Sequence, residues 1–565
     1  MRPSRFGLDI ILLLAICATL YFPFLGQLPF FDKGEPREAV AVQDILQRGE
    51  WLFPLKEATA IPSKPPLFHW SAALASQMSG VLNEATVRFP SALYATLGVL
   101  LVYGLGRRLF DAPTAFLGAA ILATTQVYAA QALSARVDMT LCFFLTLSLA
   151  LYYSLYRGFL AGPLWYYAFY AILGIGTLAK GPIGILLPGL VIGAFLAINK
   201  RWDLAFKVSF HPGILLTIII AAGWYILAAA RGGDGFVDRQ LIQENLNRFF
   251  GGSGHNHPVY YYLPYLFLYG LPWSLFLPFL IWDWLKNRSF LRDDQLFLQL
   301  WALLPLIFFS LSAGKRPVYL LPLYPALSLL LAAWFYHGER STWGRLQMYR
   351  IIALIAGVSG AVLLIITLGG IWQHDLHWYL RPIEDLLKAK DRANFVIAKD
   401  KAEAFGWSFR IVMLVVAVLW FSLAHCLWTA RLRSAASRLV LIVILIGWVI
   451  HGLIMPVIAE DKSYRGFMMG VNSRVQADHR LFLYGGYFYT DPVVFYRGAL
   501  IERLNLSPAE VAARIGPGRD YIIMAKQTWV EMQKYNANVP PPIISDSGKG
   551  AEGDASLVLV QADGL

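Results

Sequence analysis

Charge is scarce in this chain. Of its 565 residues only 15% are Asp, Glu, Lys or Arg, against about 25% in an ordinary soluble protein. That excludes a water-soluble enzyme of this length. A hydrophobic content of 57% points instead to a polytopic membrane protein. Cysteine is nearly lacking too. Cys17, Cys142 and Cys426 all fall in hydrophobic stretches, so no disulfide framework and no Cys-based zinc site is visible. No Walker A sequence is present, which removes the usual sign of ATP drive. No Ser-His-Asp elbow appears either. The hydrophobic segments show no internal repeat, which weighs against a transporter built from inverted halves.

What the chain does hold is aromatic and basic. Aromatic residues make up 15%, as expected where Trp and Tyr sit at bilayer interfaces. The net charge of +12 could suggest nucleic acid, but much of it lies in short loops between apolar segments. We therefore expect membrane lipids as neighbours and no nucleic acid.

Segments of roughly 20 apolar residues number about thirteen. They lie near 8–26, 88–106, 114–131, 138–156, 163–178, 182–199, 213–230, 260–281, 296–312, 318–336, 351–371, 407–428 and 439–457. The first follows Arg2 and Arg5 and reads as a span, so no removable signal peptide is needed. Basic residues between the segments, Arg107 and Arg108, Lys200 and Arg201, Arg431 and Arg433 among them, fall on one side. That side is expected to be cytoplasmic, with the N-terminus there and the C-terminus outside. The loops at 27–87, 231–259 and 372–406 then share the outer face. Residues 1–457 read as the membrane domain.

From 458 to 565 the pattern changes. Leu481–Tyr484, Val493–Tyr496 and Tyr521–Met524 are short strand-like runs, and a helical stretch from Ser507 to Ile515 opens on a Ser-Pro-Ala-Glu cap. A small α/β domain outside the membrane is expected.

Chemistry concentrates on the outer loops. Asp32, Glu35 and Arg37 stand just beyond the first span, and Lys64 is bounded by prolines. The carboxylates are base candidates and the cations anion clamps. An interfacial amphipathic helix with snorkelling charges explains only part of the pattern. Arg136 and Asp138 open a span, where helix capping is one reading; an acid at the membrane edge points first to function, with Asp138 a catalytic candidate and Arg136 a phosphate contact. Lys180, followed by Gly181 and Pro182, suits an anion contact. Lys315, Arg316 and Tyr319 form a two-cation outer turn that runs against the positive-inside bias, which favours phosphate binding. The glycine-rich loop from Glu244 to His257 suits a lid ordered by substrate. His255 and His257 are weak metal candidates without a third ligand.

These pieces, in this order, resemble the membrane-embedded glycosyltransferases of the GT-C fold. The likeness runs from residue 20 to 335. It is carried by Gly34–Ala39, Ser63–Leu67, Arg88–Leu93, Arg136–Asp138, Ala179–Gly181, Glu244–Phe249, Tyr261–Pro264, Leu271–Trp273 and Gly314–Pro322. It is similar above all to the branch of the lipid A aminoarabinose transferase, with protein O-mannosyltransferases as more distant kin. The resemblance implies an α-helical polytopic fold and an inverting transferase in a bacterial inner membrane, with the C-terminal domain periplasmic. It implies a polyprenyl-phosphate sugar as donor and a lipid, glycan or protein as acceptor. It also implies an Asp of the first outer loop as general base, and Arg37 and Lys64 on the donor phosphate. The family shows Asp-Glu where this chain has Gly34-Glu35, so either Asp32 or Glu35 takes the base role. No cofactor is required once the phosphate charge is held. The rival is a lipid-linked sugar transporter, whose substrate contacts would face both sides.

Overall fold

The computed structural model describes residues 3–54, 61, 63–247, 249, 251, 256–286, 293–337, 343–373, 384–385, 387, 392, 395–396, 406–476, 478–485, 488–536, 539–544, 547 and 555–564. His255 and most of the expected loop at 372–406 lie outside the described residues.

The chain is mostly helix. Its first nine helices are α1 (Pro3–Tyr21), α2 (Glu35–Arg48), α3 (Leu67–Ser79), α4 (Glu84–Leu109), α5 (Ala112–Thr124), α6 (Gln126–Ala132), α7 (Val137–Tyr156), α8 (Pro163–Lys180) and α9 (Ile183–Ile198). Among the described residues, eight helices are long and apolar enough to cross a membrane, or ten if two bent pairs each count as one span. The expected segment at 114–131 is one such pair, bent by 64° between α5 and α6; the segment at 260–281 is the other, bent by 110°. The segments near 8–26 and 182–199 give only shorter apolar helices, Phe6–Tyr21 and Ile183–Ile198.

Two local devices position what matters for function. The first is α2, which the loop after α1 builds beside the bundle. Asp32 Oδ1 accepts the N–H groups of Gly34 at 2.7 Å and Glu35 at 2.8 Å, and Pro36 presets the first turn. Gly49, at φ 69°, ends the helix. Between them Ala39, Val40, Val42 and Ile45 are buried. The second device is the α8–α9 hairpin. A Cβ at Gly184 would lie 2.4 Å from the Gly176 carbonyl carbon, so only glycine permits this approach. The hairpin holds Lys180 at the end of α8.

The C-terminal region carries one four-stranded sheet in the order β2-β1-β3-β4: β1 (Arg480–Tyr484), β2 (Glu502–Arg503), β3 (Ile515–Ala525) and β4 (Leu557–Ala562). β1 runs parallel to β2 and β3, and β4 is antiparallel to β3. Alternation along the strands serves two cores. Leu483, Ile523 and Leu559 pack with Ala39, Val42 and Phe68 of α2 and α3, while Tyr484, Ile522 and Val560 pack with Val511 and Met532. The sheet is thus cemented to α2 and α3. The capping box at Ser507 and Glu510 forms as its sequence suggests. Val493–Tyr496, expected as a strand, is instead part of a helix over Asp491–Arg497. Pro492 favours the first turn and left-handed Gly498 stops the helix, and these local signals outweigh β-branched composition. The chain also remains helical past the expected boundary at 457, as far as Lys462.

Candidate active site

The charges between α1 and α4 do not behave alike. Glu35 is spent on structure. Arg88, from α4, donates Nε and Nη2 to its two oxygens, each at 2.8 Å, and the Ala135 N–H donates to Oε1 at 2.8 Å. Arg88 also donates Nη1 to the carbonyls of Leu25 at 2.8 Å and Leu28 at 2.6 Å. The pair is sealed, with side-chain exposures of 1% for Arg88 and 6% for Glu35. A carboxylate so saturated cannot approach an acceptor hydroxyl, which corrects its candidacy as base. Its work is to lock α2, α4 and the turn before α7 together.

Asp32 is different, with a side chain still 24% exposed. Its Oδ2 accepts from Arg136 Nη2 at 2.6 Å. Burial opposes its ionisation, but Arg136 and the N–H groups of Glu35 and Gly34 outweigh that and hold the carboxyl below its usual range. Gly34 makes this possible. A Cβ there would lie 2.4 Å from Arg136 Nη2, so the guanidinium fills the space a side chain would take.

Most other predicted residues converge. Arg37, Lys64, Arg136, Asp138, Lys180, Arg316 and Tyr319 line one cleft of about 30 Å³, together with Glu38. The lining carries five cations against two carboxylates. Carboxylates hold several of these cations in place. Lys64 pairs with Glu244 at 2.6 Å, Lys180 pairs with Asp138, and Arg37 pairs with Glu38 at 2.8 Å. Lys180 Nζ also lies 4.3 Å from the Tyr319 ring centroid. Glu38 Oε2 in turn accepts a hydrogen bond from His69 Nε2 at 2.8 Å. Burial opposes its charge, yet Arg37 and His69 drive its carboxyl far below the usual range.

The cleft opens into a larger apolar groove of about 320 Å³, and Lys64, Lys180 and Tyr319 line both. Beyond them the groove walls are Leu141, Ile183, Leu186, Phe249, Phe308 and Phe309.

Lys315 stands apart from its expected role. It is buried and donates to the carbonyls of His257, at 2.9 Å, and Ser312. It ties the turn before Pro317 to the 257 segment and does not line the cleft. The His257 ring stacks on Tyr261 with centroids 4.2 Å apart. Among the described residues no group of three or more His, Cys, Asp or Glu could hold a metal ion, so His257 gains no partners for that role.

The C-terminal region reaches the site. Tyr489 donates to the Lys33 carbonyl at 2.5 Å, and Tyr496 accepts from the Phe30 N–H at 2.8 Å while meeting Glu84 at 2.9 Å. These two tyrosines grip the short loop that carries Asp32. Sequence reasoning gave no individual role to Glu38, His69, Arg88, Glu244 or either tyrosine, although Glu38, Arg88 and Glu244 lie in the motifs that carry the resemblance. For the first four a signal existed, since each is a polar group inside or beside an apolar run. The tyrosines lie more than 400 positions from their partners and carried none.

The bundle with its joined sheet has the architecture of GT-C membrane glycosyltransferases. It superposes on the crystal structure of ArnT from Cupriavidus metallidurans bound to undecaprenyl phosphate with a TM-score of 0.74, at 20% identity, over 98% of this chain and 97% of that one. Residues 63–226 match the model of the family described as dolichyl-phosphate-mannose-protein mannosyltransferase. An undecaprenyl phosphate-alpha-4-amino-4-deoxy-L-arabinose arabinosyl transferase of Pseudomonas aeruginosa (strain UCBPP-PA14) is 33% identical over 57% of this chain and 58% of its own length. A second transferase of that name, from Pseudomonas fluorescens (strain Pf0-1), is 32% identical over 65% of this chain and 67% of its own. The chain belongs to the aminoarabinose transferase family. The alignment spans only 58% of the length of the first of these relatives.

Proposed function

We propose that this chain is an inverting glycosyltransferase that moves a sugar from a polyprenyl-phosphate donor to a lipid, glycan or protein acceptor at the outer face of a bacterial inner membrane. One observation carries the reading: an apolar groove opens directly onto a cleft with five cations. A polyprenyl phosphate has this same pairing of a long apolar chain with an anionic head. The names of the relatives make an undecaprenyl-phosphate-linked aminopentose the first donor to try.

In the proposed reaction the prenyl chain lies along Leu141, Ile183 and Phe308, and the phosphate takes Lys64, Lys180 and Arg136. Arg136 exchanges the Asp32 carboxylate for the phosphate. Freed of its cation, Asp32 becomes a stronger base and accepts the proton of the acceptor hydroxyl. The oxygen attacks the anomeric carbon, the carbon–oxygen bond to phosphate breaks, and polyprenyl phosphate leaves with the electron pair. The cations stabilise charge that grows on the leaving group, so the reading needs no cofactor.

Lys64→Ala tests it. With purified, lipid-reconstituted protein and donor, transfer should fall about 10²–10³-fold, the cost of removing one preorganised contact to developing charge. Free polyprenyl phosphate and sugar-shifted acceptor are both followed by mass spectrometry. Near-normal turnover of a folded variant would sink the assignment of Lys64.

A further inference from the structure

A second groove, of about 560 Å³, lies between α1, α5 and the helix over Leu432–Val449. It is at the end of the bundle opposite the ionic cleft. α4 starts at Glu84, and its first turns carry Arg88 onto Glu35 of α2, the helix that brings Arg37 to the cleft; it ends at Leu109, after which α5 begins at Ala112. Tyr336 likewise ends a span that begins at Pro317, beside Arg316 and Tyr319 of the cleft. The groove is walled by Leu12, Ile16, Phe116, Ala120, Val440 and Ile444. At its mouth stand Arg433, Ser437 and Tyr336.

Arg433 is exposed and makes no hydrogen bond or ion pair with a described residue. Its guanidinium lies over the Tyr336 ring, with Cζ 4.5 Å from the centroid. Stacking fixes the plane and leaves the N–H edge to donate, the arrangement that suits a phosphate oxygen pair. From Arg433 to Ile444 the helix rises about 16 Å at about 1.5 Å per residue. Half of a hydrocarbon core is about 15 Å. The groove is therefore one leaflet deep, apolar along its length and cationic at headgroup level. Leu12 and Leu441 at its margins are exposed, so it opens sideways.

We propose that this groove binds one anionic glycerophospholipid of the leaflet opposite the ionic cleft, with an acyl chain along Ile16 and Val440 and its phosphate on Arg433. A zwitterionic headgroup would bring its own cation to a site that already has one. A polyprenyl phosphate has its matching groove at the other end of the bundle.

The test uses the full chain in nanodiscs of equimolar dioleoyl phosphatidylglycerol and dioleoyl phosphatidylcholine, released into mild detergent for native mass spectrometry. The wild type should retain one phosphatidylglycerol at least tenfold over phosphatidylcholine. Arg433→Gln should bring the two to parity. Arg350→Gln should leave the preference intact, because Arg350 stacks on Trp428 at 5.3 Å and does not line the groove. Ala15→Phe, at an exposed lining position, should abolish retention of either lipid. Equal retention of both lipids by the wild type, no loss of preference in Arg433→Gln, or an equal loss in Arg350→Gln would each overturn the proposal. None of these readouts depends on transfer activity.

Discussion

Two carboxylates three residues apart should respond in opposite ways to amide substitution. Glu35 faces Arg88 through two hydrogen bonds of 2.8 Å, and Arg88 is sealed at 1% side-chain exposure. Glu35→Gln keeps the shape and removes the charge, which leaves a buried guanidinium with only backbone carbonyls and a neutral amide. Breaking a buried pair in this way costs about 3–5 kcal/mol. Asp32 sits in a half-open pair with Arg136, for which removal costs about 0–1 kcal/mol. Asp32→Asn should therefore fold normally and lose transfer, since it removes the proposed base. Glu35→Gln should lose its folded state first. Tryptophan fluorescence during thermal unfolding in detergent reads stability, and product formation per folded protein reads catalysis. The reasoning fails if Glu35→Gln unfolds with the wild type while losing transfer, or if Asp32→Asn still turns over.

The remaining expectations are shorter. Asp32 and Glu38 both have carboxyls held below their usual range in the folded state. Their stabilisation is present above the unfolded values of about 4 and is lost as pH falls through the lower folded values. The thermal midpoint should thus decline with acidification below pH of about 4, and Glu38→Gln should flatten that decline; an unchanged slope in the variant would refute it. Tyr489→Phe removes one hydrogen bond from the loop bearing Asp32. At about 0.5–1.5 kcal/mol it should lower kcat by about 2–10-fold with donor KM and thermal midpoint nearly unchanged. A wild-type kcat would show that the C-terminal sheet does not position the base.

Much of this protein was legible in one dimension because apolar runs are long and charge is rare. In such a chain each polar residue beside a span stands out, and Arg37, Lys64, Arg136, Asp138, Lys180, Arg316 and Tyr319 do share one cleft. The interfacial amphipathic helix read beyond the first span does form, as α2 over Glu35–Arg48. Local signals failed where two of them competed, as at Val493–Tyr496, whose strand-like composition lost to Pro492 and Gly498.

Partnership was beyond the sequence, and partnership decides role. Asp32 and Glu35 look alike along the chain. Only the packing of α4 against the start of α2 brings Arg88 onto Glu35, and only the bare Cα of Gly34 lets Arg136 cross to Asp32. Lys315 and Arg316 are neighbours, yet one is consumed by backbone carbonyls and the other lines the cleft. The sequence determined which residues are costly to keep in an apolar chain, since that cost is paid residue by residue. Tertiary structure alone decided which charges satisfy one another and which are left to meet a substrate, because Coulomb and hydrogen-bond energies depend on distances that chain order does not fix.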